Sequence, residues 1–229
     1  MIALVTGANK GIGLETVKQL ANQGHMVYLG SRDLEKGIKA KAQIHNSENI
    51  EVIQLDVTNE ESMVKAVKKI VTDKGRIDIL VNNAAINYDT YHNAINADLN
   101  NVRETFEANI FGAWRMIQEV LQLMQVSGFG RIVNVSSGLG SIASMNTGSP
   151  GYSISKTALN VLTIQFAQLI GDQDILINSV SPGWVRTDMG GYNADRSVEE
   201  GAKGIVSAAL LPKGGPSGKF FRDGEEIEY

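Results

Sequence analysis

The sequence predicts an α/β fold in one domain spanning residues 1–229: a doubly wound parallel sheet with helices on both faces. Three observations carry that expectation. Short apolar runs alternate with longer stretches in which apolar residues recur every three or four positions, a glycine-rich turn follows the first run, and small or polar residues close most of the others.

Ile2-Ala3-Leu4-Val5 reads as a buried strand that enters Thr6-Gly7-Ala8-Asn9-Lys10-Gly11-Ile12-Gly13, after which Leu14, Val17 and Leu20 recur at helical spacing. Met26–Leu29 is a second strand, Leu34–Ile44 a helix, Ile50–Leu55 a third strand and Met63–Val71 another helix. Ile77–Val81, Ile132–Val135 and Ile175–Val180 supply three more strands, separated by helical stretches around Val102–Met124 and Tyr152–Ile170. Strands joined through helices pair in parallel, and a parallel sheet covered on both faces accounts for runs that are apolar throughout.

The bulk numbers remove several classes of function. At 229 residues and 43% hydrophobic the chain can bury one large core, and 4 prolines among 24 glycines mark no linker. A net charge of -4 without a basic cluster argues against nucleic-acid binding. The absence of cysteine excludes disulfides, thiolate metal sites and a cysteine nucleophile, and three scattered histidines suggest no metal site. The first apolar run is too short for a signal sequence and no run reaches membrane-spanning length, so a cytoplasmic protein without membrane contact is expected. Asn134-Val135-Ser136 matches a glycosylation acceptor but lies in an apolar strand, which makes it a chance match.

In a doubly wound sheet the ligand crevice lies beyond the carboxyl ends of the strands, where the strand order reverses. Gly7, Gly11 and Gly13 stand at such an end and open a helix, so a pyrophosphate can approach bare backbone and the positive helix terminus. Their Gly-xxx-Gly-x-Gly spacing differs from the dinucleotide fingerprint Gly-x-Gly-xx-Gly, and a tight turn without a ligand is the structural alternative. After the second strand come Ser31 and Arg32. A carboxylate at this place selects NAD, whereas Arg32 together with Lys10 can neutralise the ribose 2′-phosphate of NADP, which makes NADPH the expected cofactor. Two readings of Asp33 remain open, a helix N-cap and a competing ribose ligand. Asp56 and Val57, after the third strand, are candidates for adenine contact. Asn83, Ala84 and Ala85, after the fourth, let backbone pass the cofactor, with Asn83 as a tie between loops the alternative.

Tyr152 and Lys156 begin a helix four residues apart, which places phenol and ammonium on one face. A cation favours the phenolate, lowers the phenol pKa and makes it a better proton donor near neutral pH. Tyr-xxx-Lys also occurs on solvated helix faces. The strand Ile132–Val135 leads directly into Ser136-Ser137-Gly138 and delivers a hydroxyl to the crevice, with Ser137 the candidate partner of a substrate oxygen. Ser181-Pro182-Gly183, after the sixth strand, can close over the nicotinamide.

In this order, Thr6-Gly7-xxx-Gly11-Ile12-Gly13, Asn82-Asn83-Ala84, Asn109, Ser137, Tyr152-xxx-Lys156 and Pro182-Gly183 resemble the short-chain dehydrogenase/reductase family, whose fold is Rossmann-type. The resemblance covers nearly the whole chain. More narrowly, Asn9-Lys10-Gly11-Ile12-Gly13-Leu14-Glu15 and Pro182-Gly183-Trp184-Val185-Arg186-Thr187-Asp188-Met189 are similar to the NADPH-dependent carbonyl reductases, which adds Asn9, Ile12, Val185 and Thr187 to the expected cofactor pocket. The resemblance implies Tyr152 as acid/base, Lys156 as holder of the nicotinamide ribose and tuner of Tyr152, Ser137 on the carbonyl oxygen, and Asn109 supporting a water relay.

The chain departs from the family pattern in three places. Ala85 stands where the family has glycine. The stretch between Ser137 and Tyr152 is slightly long, which keeps Ser136 and Ser141 open as alternatives to Ser137. The insertion that precedes the tyrosine in monomeric carbonyl reductases is absent, leaving the helices around Val102 and Tyr152 free for subunit contacts, so a homo-oligomer, dimer or tetramer, is expected.

Trp184, Met189 and Tyr192 are expected in the outer wall of the substrate pocket, with packing of the loop against the core as the alternative. The expected reaction is hydride transfer to an aldehyde, ketone or quinone of moderate size, giving an alcohol. Rival readings are an alcohol or hydroxysteroid dehydrogenase working oxidatively and a non-catalytic NADP-binding regulator. A serine hydrolase is disfavoured because no Gly-x-Ser-x-Gly elbow occurs.

Overall fold

The computed structural model describes residues 1–45 and 47–229, and their backbone alternates strand and helix. In chain order the first half runs β1 (Ile2–Val5), α1 (Gly11–Asn22), β2 (Met26–Ser31), α2 (Leu34–Lys41), β3 (Ile50–Gln54), α3 (Glu60–Lys74) and β4 (Ile79–Asn82). The second half runs α4 (Leu99–Phe106), α5 (Ala113–Ser127), β5 (Gly130–Val135), α6 (Pro150–Ile170), β6 (Ile175–Val180), α7 (Val198–Ala209), β7 (Phe220–Arg222) and β8 (Glu225–Glu226).

All described strands lie in one sheet of order β3-β2-β1-β4-β5-β6-β7-β8, parallel except for the last pair. The chain leaves β1 on one side for β2 and β3 and returns to build β4 onward on the other. The reversal therefore falls between β1 and β4, and a crevice opens beyond their carboxyl ends.

Both sheet faces are apolar because both are covered. On one, Leu4, Leu80, Ile132 and Ile177 pack with Met63 and Ile70 of α3, Ile117 of α5 and Phe166 of α6. On the other, Ala3, Val5, Val81, Val133 and Val180 pack with Val17 and Leu20 of α1 and Ile205 of α7. Alternation along β1, with Leu4 to one layer and Ala3 and Val5 to the other, is the two-residue period of a strand. Helix ends follow local chemistry: Asn59 accepts from Ser62 N at the start of α3, and Ser197 and Glu200 form a reciprocal capping box on α7.

The structure differs from the sequence-based expectation at several boundaries. The expected helix around Val102–Met124 is two α-helices joined by a π-helical turn, Glu107–Gly112. Helix α2 stops at Lys41 rather than Ile44. Strand β4 begins at Ile79, one residue after Asp78, which accepts from Ile2 N through its carboxylate (2.7 Å) and donates its own N–H to Ile2 O (2.8 Å) at the start of β1. Helix α7 and strands β7 and β8 were not anticipated at all. Among the described residues no helix is long and apolar enough to cross a membrane, and no group of three or more potential ligand side chains gathers for a metal.

Candidate active site

The turn after β1 owes two of its glycines to its neighbours. A Cβ on Gly7 would lie 2.8 Å from Ala84 Cα, and one on Gly13 would lie 2.4 Å from Asn83 Nδ2 and 2.9 Å from Gly7 O. Gly11 is left-handed, at φ +57, and faces Thr187. Asn83 donates through Nδ2 to Thr6 O (2.9 Å) and Gly7 O (3.0 Å), while the backbone N–H groups of Asn83 and Ala84 both donate to Thr6 Oγ1 at 3.0 Å. Asn83 is thus a tie between the β1 and β4 loops, as the alternative reading had it. Ala84 and Ala85 beside it are half-buried.

Helix α1 opens without a side-chain cap and without an acidic residue in its first turn, and Lys10 holds its N-cap position with extended backbone. Its first N–H groups and the positive end of its dipole therefore remain available to an anion beside the glycines, so this cradle fits a pyrophosphate. Asn9 and Ile12 flank it, both half-buried.

Beyond β2 the three polar residues take different roles. Ser31 is buried and donates to Asp33 O at 2.6 Å. Asp33 accepts from Lys36 N at 3.1 Å, which makes it the N-cap of α2. Arg32 is exposed at the crevice rim. Lys10 Nζ forms an exposed ion pair with Asp188 at 2.6 Å. That contact lowers the Asp188 pKa. Asp56 turns its carboxylate to Thr58 N (2.9 Å) and Thr58 Oγ1 (2.7 Å), and Val57 is buried against Gly112, where a Cβ would lie 2.7 Å from Val57 O.

Strand β5 and helix α6 carry the hydroxyls and the amine. Helix α6 starts with Pro150, so Tyr152 and Lys156 fall in its first two turns. Lys156 is buried, donates to Val135 O at 2.7 Å and lies 5.6 Å from the centroid of the Tyr152 ring. Burial lowers its pKa to about 7. Burial also raises the Tyr152 phenol to about 12, with the nearby Ser137 hydroxyl pulling the other way. The phenol therefore stands above its ordinary value rather than below it, because desolvation outweighs the pull of Ser137.

The serine alternatives separate by position. Ser136 is buried and donates to Lys156 O at 3.3 Å, and Ser141 is buried after the short 3-10 turn Gly138–Gly140. Ser137, half-buried, lines a cavity of about 390 Å³ together with Leu139, Ser144, Ser181, Gly183, Trp184 and Arg222.

Asn109 sits inside the π-helical turn. Its Oδ1 accepts from Ile86 N (2.9 Å), and its Nδ2 donates to Ile86 O (3.0 Å) and Ser155 Oγ (3.0 Å). Ser155 in turn donates to Tyr152 O at 2.7 Å. The amide thus pins the β4 loop and the tyrosine helix to each other. Both of its donor contacts are taken by protein groups. Beneath the site, Asn82 Nδ2 donates to Asn134 Oδ1 (2.9 Å), Asn134 Nδ2 to Thr163 Oγ1 (2.9 Å), and Thr163 meets Ser179 Oγ at 2.8 Å. This buried chain joins β4, β5, α6 and β6, the elements whose ends form the crevice.

The segment after β6 folds over the glycine turn. Gly183 is left-handed at φ +79, and a Cβ there would lie 2.6 Å from Arg196 Cδ. Pro182 and Val185 are buried, and Thr187 receives Gly190 N at 3.0 Å. Trp184 donates through Nε1 to Gly190 O (2.8 Å) and keeps an exposed ring face at the cavity. Met189 is exposed, and Tyr192 is 99% accessible and stands clear of the cavity, contrary to its expected place in the wall. Sequence reasoning missed Leu139, Ser144 and Arg222. Nothing local distinguishes Arg222 in Phe220-Phe221-Arg222-Asp223-Gly224; only the return of β7 alongside β6 brings it to the site.

The profile of the short chain dehydrogenase family matches residues 1–197. Short-chain dehydrogenase/reductase 1 of Saponaria officinalis is 36% identical over 290 aligned residues, covering 99% of this chain and 95% of that protein. Carbonyl reductase (NADPH) 1 of Sus scrofa is 33% identical over 282, covering 100% and 94%. Both alignments are longer than the 229 residues here, so these relatives carry segments this chain lacks. The solved structure of ElxO with NADP bound superposes with a TM-score of 0.88 at 29% identity, covering 96% of each chain. Profile, relatives and strand order agree that the chain belongs to the short-chain dehydrogenase/reductase family of oxidoreductases.

Proposed function

We propose that the protein is an NADPH-dependent reductase of aldehydes or ketones, with Tyr152 as the proton donor. The supporting observation is that Ser137, which lines the cavity, stands beside the Tyr152 phenol, with buried Lys156 next to the phenol ring. NADPH, when bound, supplies the hydride. The glycine turn and the uncapped start of α1 would hold its pyrophosphate, and exposed Arg32, which forms no ion pair among the described residues, would meet its 2′-phosphate. The NADP-bound neighbour and the NADPH-named relative support that cofactor.

Ser137 donates a hydrogen bond to the carbonyl oxygen and orients it toward Tyr152. The phenol, held protonated by burial, then gives its proton to the oxygen as negative charge develops there. Lys156, gaining charge near neutral pH, stabilises the phenolate that remains. Asn109, through Ile86 and Ser155, fixes the separation of the two walls in which these groups stand.

Exposed Phe111 and Trp114 on one helical run and Ile154 and Val161 on α6 support a homo-oligomer packed through these faces, which light scattering tests directly. For the reaction itself, consumption of NADPH and of NADH is measured against chemically varied aldehydes and ketones. Turnover with NADPH at a rate well above that with NADH is expected; no turnover across the panel removes the reading.

A further inference from the structure

We infer that the substrate carries a carboxylate, which Arg222 binds while the carbonyl faces Ser137. The inference rests on the reductase reading and specifies its substrate.

Arg222 and Ser137 line the same cavity, together with Ser181, Gly183 and Trp184. Its cation is largely uncompensated. Among the described residues, Asp223 is the one carboxylate within 4.0 Å of the Arg222 guanidinium, at that limit, and it is already engaged twice by Arg196. Glu225, the cross-strand partner of Arg222, forms no ion pair with it. No hydrogen bond from the guanidinium to a protein acceptor within 3.5 Å exists among these residues, so its planar donors are free for a bidentate acceptor.

The position is built rather than incidental. Ser179 and Val180 of β6 pair with Phe220 and Phe221, and Ser181 N donates to Phe221 O at 2.8 Å. Arg222 then ends β7 at an Asp223-Gly224 turn in which both residues have positive φ, +55 and +86, the geometry of a two-residue hairpin. A guanidinium mounted on a paired strand keeps its direction better than one on a loop. In a chain of net charge -4, a free cation in this wall also sets the site apart from its surroundings and draws anions toward it. The neighbouring Trp184 face and Leu139 leave room for a short apolar spacer between carboxylate and carbonyl.

The test compares 4-carboxybenzaldehyde with its neutral methyl ester, NADPH being present with each. The expected result is a kcat/KM for the acid roughly ten- to a hundred-fold above that for the ester, the range of a charge-assisted hydrogen-bonded pair. In Arg222→Gln the acid-to-ester ratio should fall to about one, and in Arg222→Lys it should be intermediate. A wild-type ratio at or below one, or a ratio unchanged in Arg222→Gln, overturns the inference. If neither aldehyde is reduced, the reductase reading fails, and the anion site is read separately by titrating 4-carboxybenzoate against tryptophan fluorescence. Saturable binding that Arg222→Gln abolishes then sustains the site, and binding indifferent to that change, or none, overturns it.

Discussion

Lys156 Nζ donates to the Val135 carbonyl across 2.7 Å while standing 5.6 Å from the centre of the Tyr152 ring. One side chain therefore ties α6 to the end of β5, two residues before Ser137, and sets the spacing of the two candidate hydroxyls. It does so from a fully buried position, which leaves a signature in stability. The unfolded lysine titrates near 10.5 and the folded one near 7, so between those values the unfolded chain binds the extra proton. Stability rises with pH across that window, and the burial penalty is fully present below pH 7. Lys156→Met should gain thermal stability over the wild type most clearly at pH 6, with the gain shrinking toward pH 10. Melting curves across that range check it; a difference independent of pH contradicts it.

The same titration should appear in catalysis. As pH falls through about 7 the lysine gains its charge beside a phenol that burial keeps protonated to about 12. Reductive kcat/KM should rise as pH is lowered through 7, and the rise should vanish in Lys156→Met. A flat wild-type profile between pH 6 and 8 would count against the tuning role.

Cofactor choice should rest mainly on Arg32. Lys10 is held by Asp188 at 2.6 Å, an exposed pair worth under about 1 kcal/mol, whereas exposed Arg32 forms no ion pair among the described residues. Arg32→Asp should lower the NADPH-to-NADH ratio of kcat/KM about a hundred-fold or more, replacing an attraction with a repulsion. Lys10→Ala should change it less. Equal effects would show that the Asp188 contact gives way when cofactor binds.

Helix α6 borrows its cap from far along the chain. Ser149 at its start is left-handed at φ 48 and offers no side-chain bond, while buried Asp89 accepts from Gly151 N at 2.5 Å. Asp89→Ala should cost about 1–3 kcal/mol by leaving that N–H unpaired in the interior, and Asp89→Asn, which keeps an acceptor, should cost less. Urea midpoints measure both.

The sequence made the sheet and the crevice legible because buried parallel strands and amphipathic helices carry distinct periods, and because Ser137, Tyr152 and the glycine turn lie at element ends. Other features depend on contacts distant in sequence. The π-helical turn around Asn109 follows from its amide meeting Ile86, 23 residues away, and from Gly112 packing on Val57. Arg222 reaches the cavity only through pairing with β6. Tyr192 looked like a pocket aromatic by position along the loop, yet Trp184 bonding to Gly190 turns that loop so that Tyr192 faces solvent. The tyrosine pKa was misjudged because burial is a property of the fold, not of the Tyr-xxx-Lys spacing.

The central claim is that the Tyr152 hydroxyl delivers the proton. Tyr152→Phe removes one oxygen and keeps the ring over which Lys156 lies. With an aldehyde that the wild type reduces and saturating NADPH, single-turnover kinetics should show the rate lowered by about a hundred-fold or more, within the range for a general acid, with NADPH binding retained. A variant that turns over at the wild-type rate would contradict the assignment.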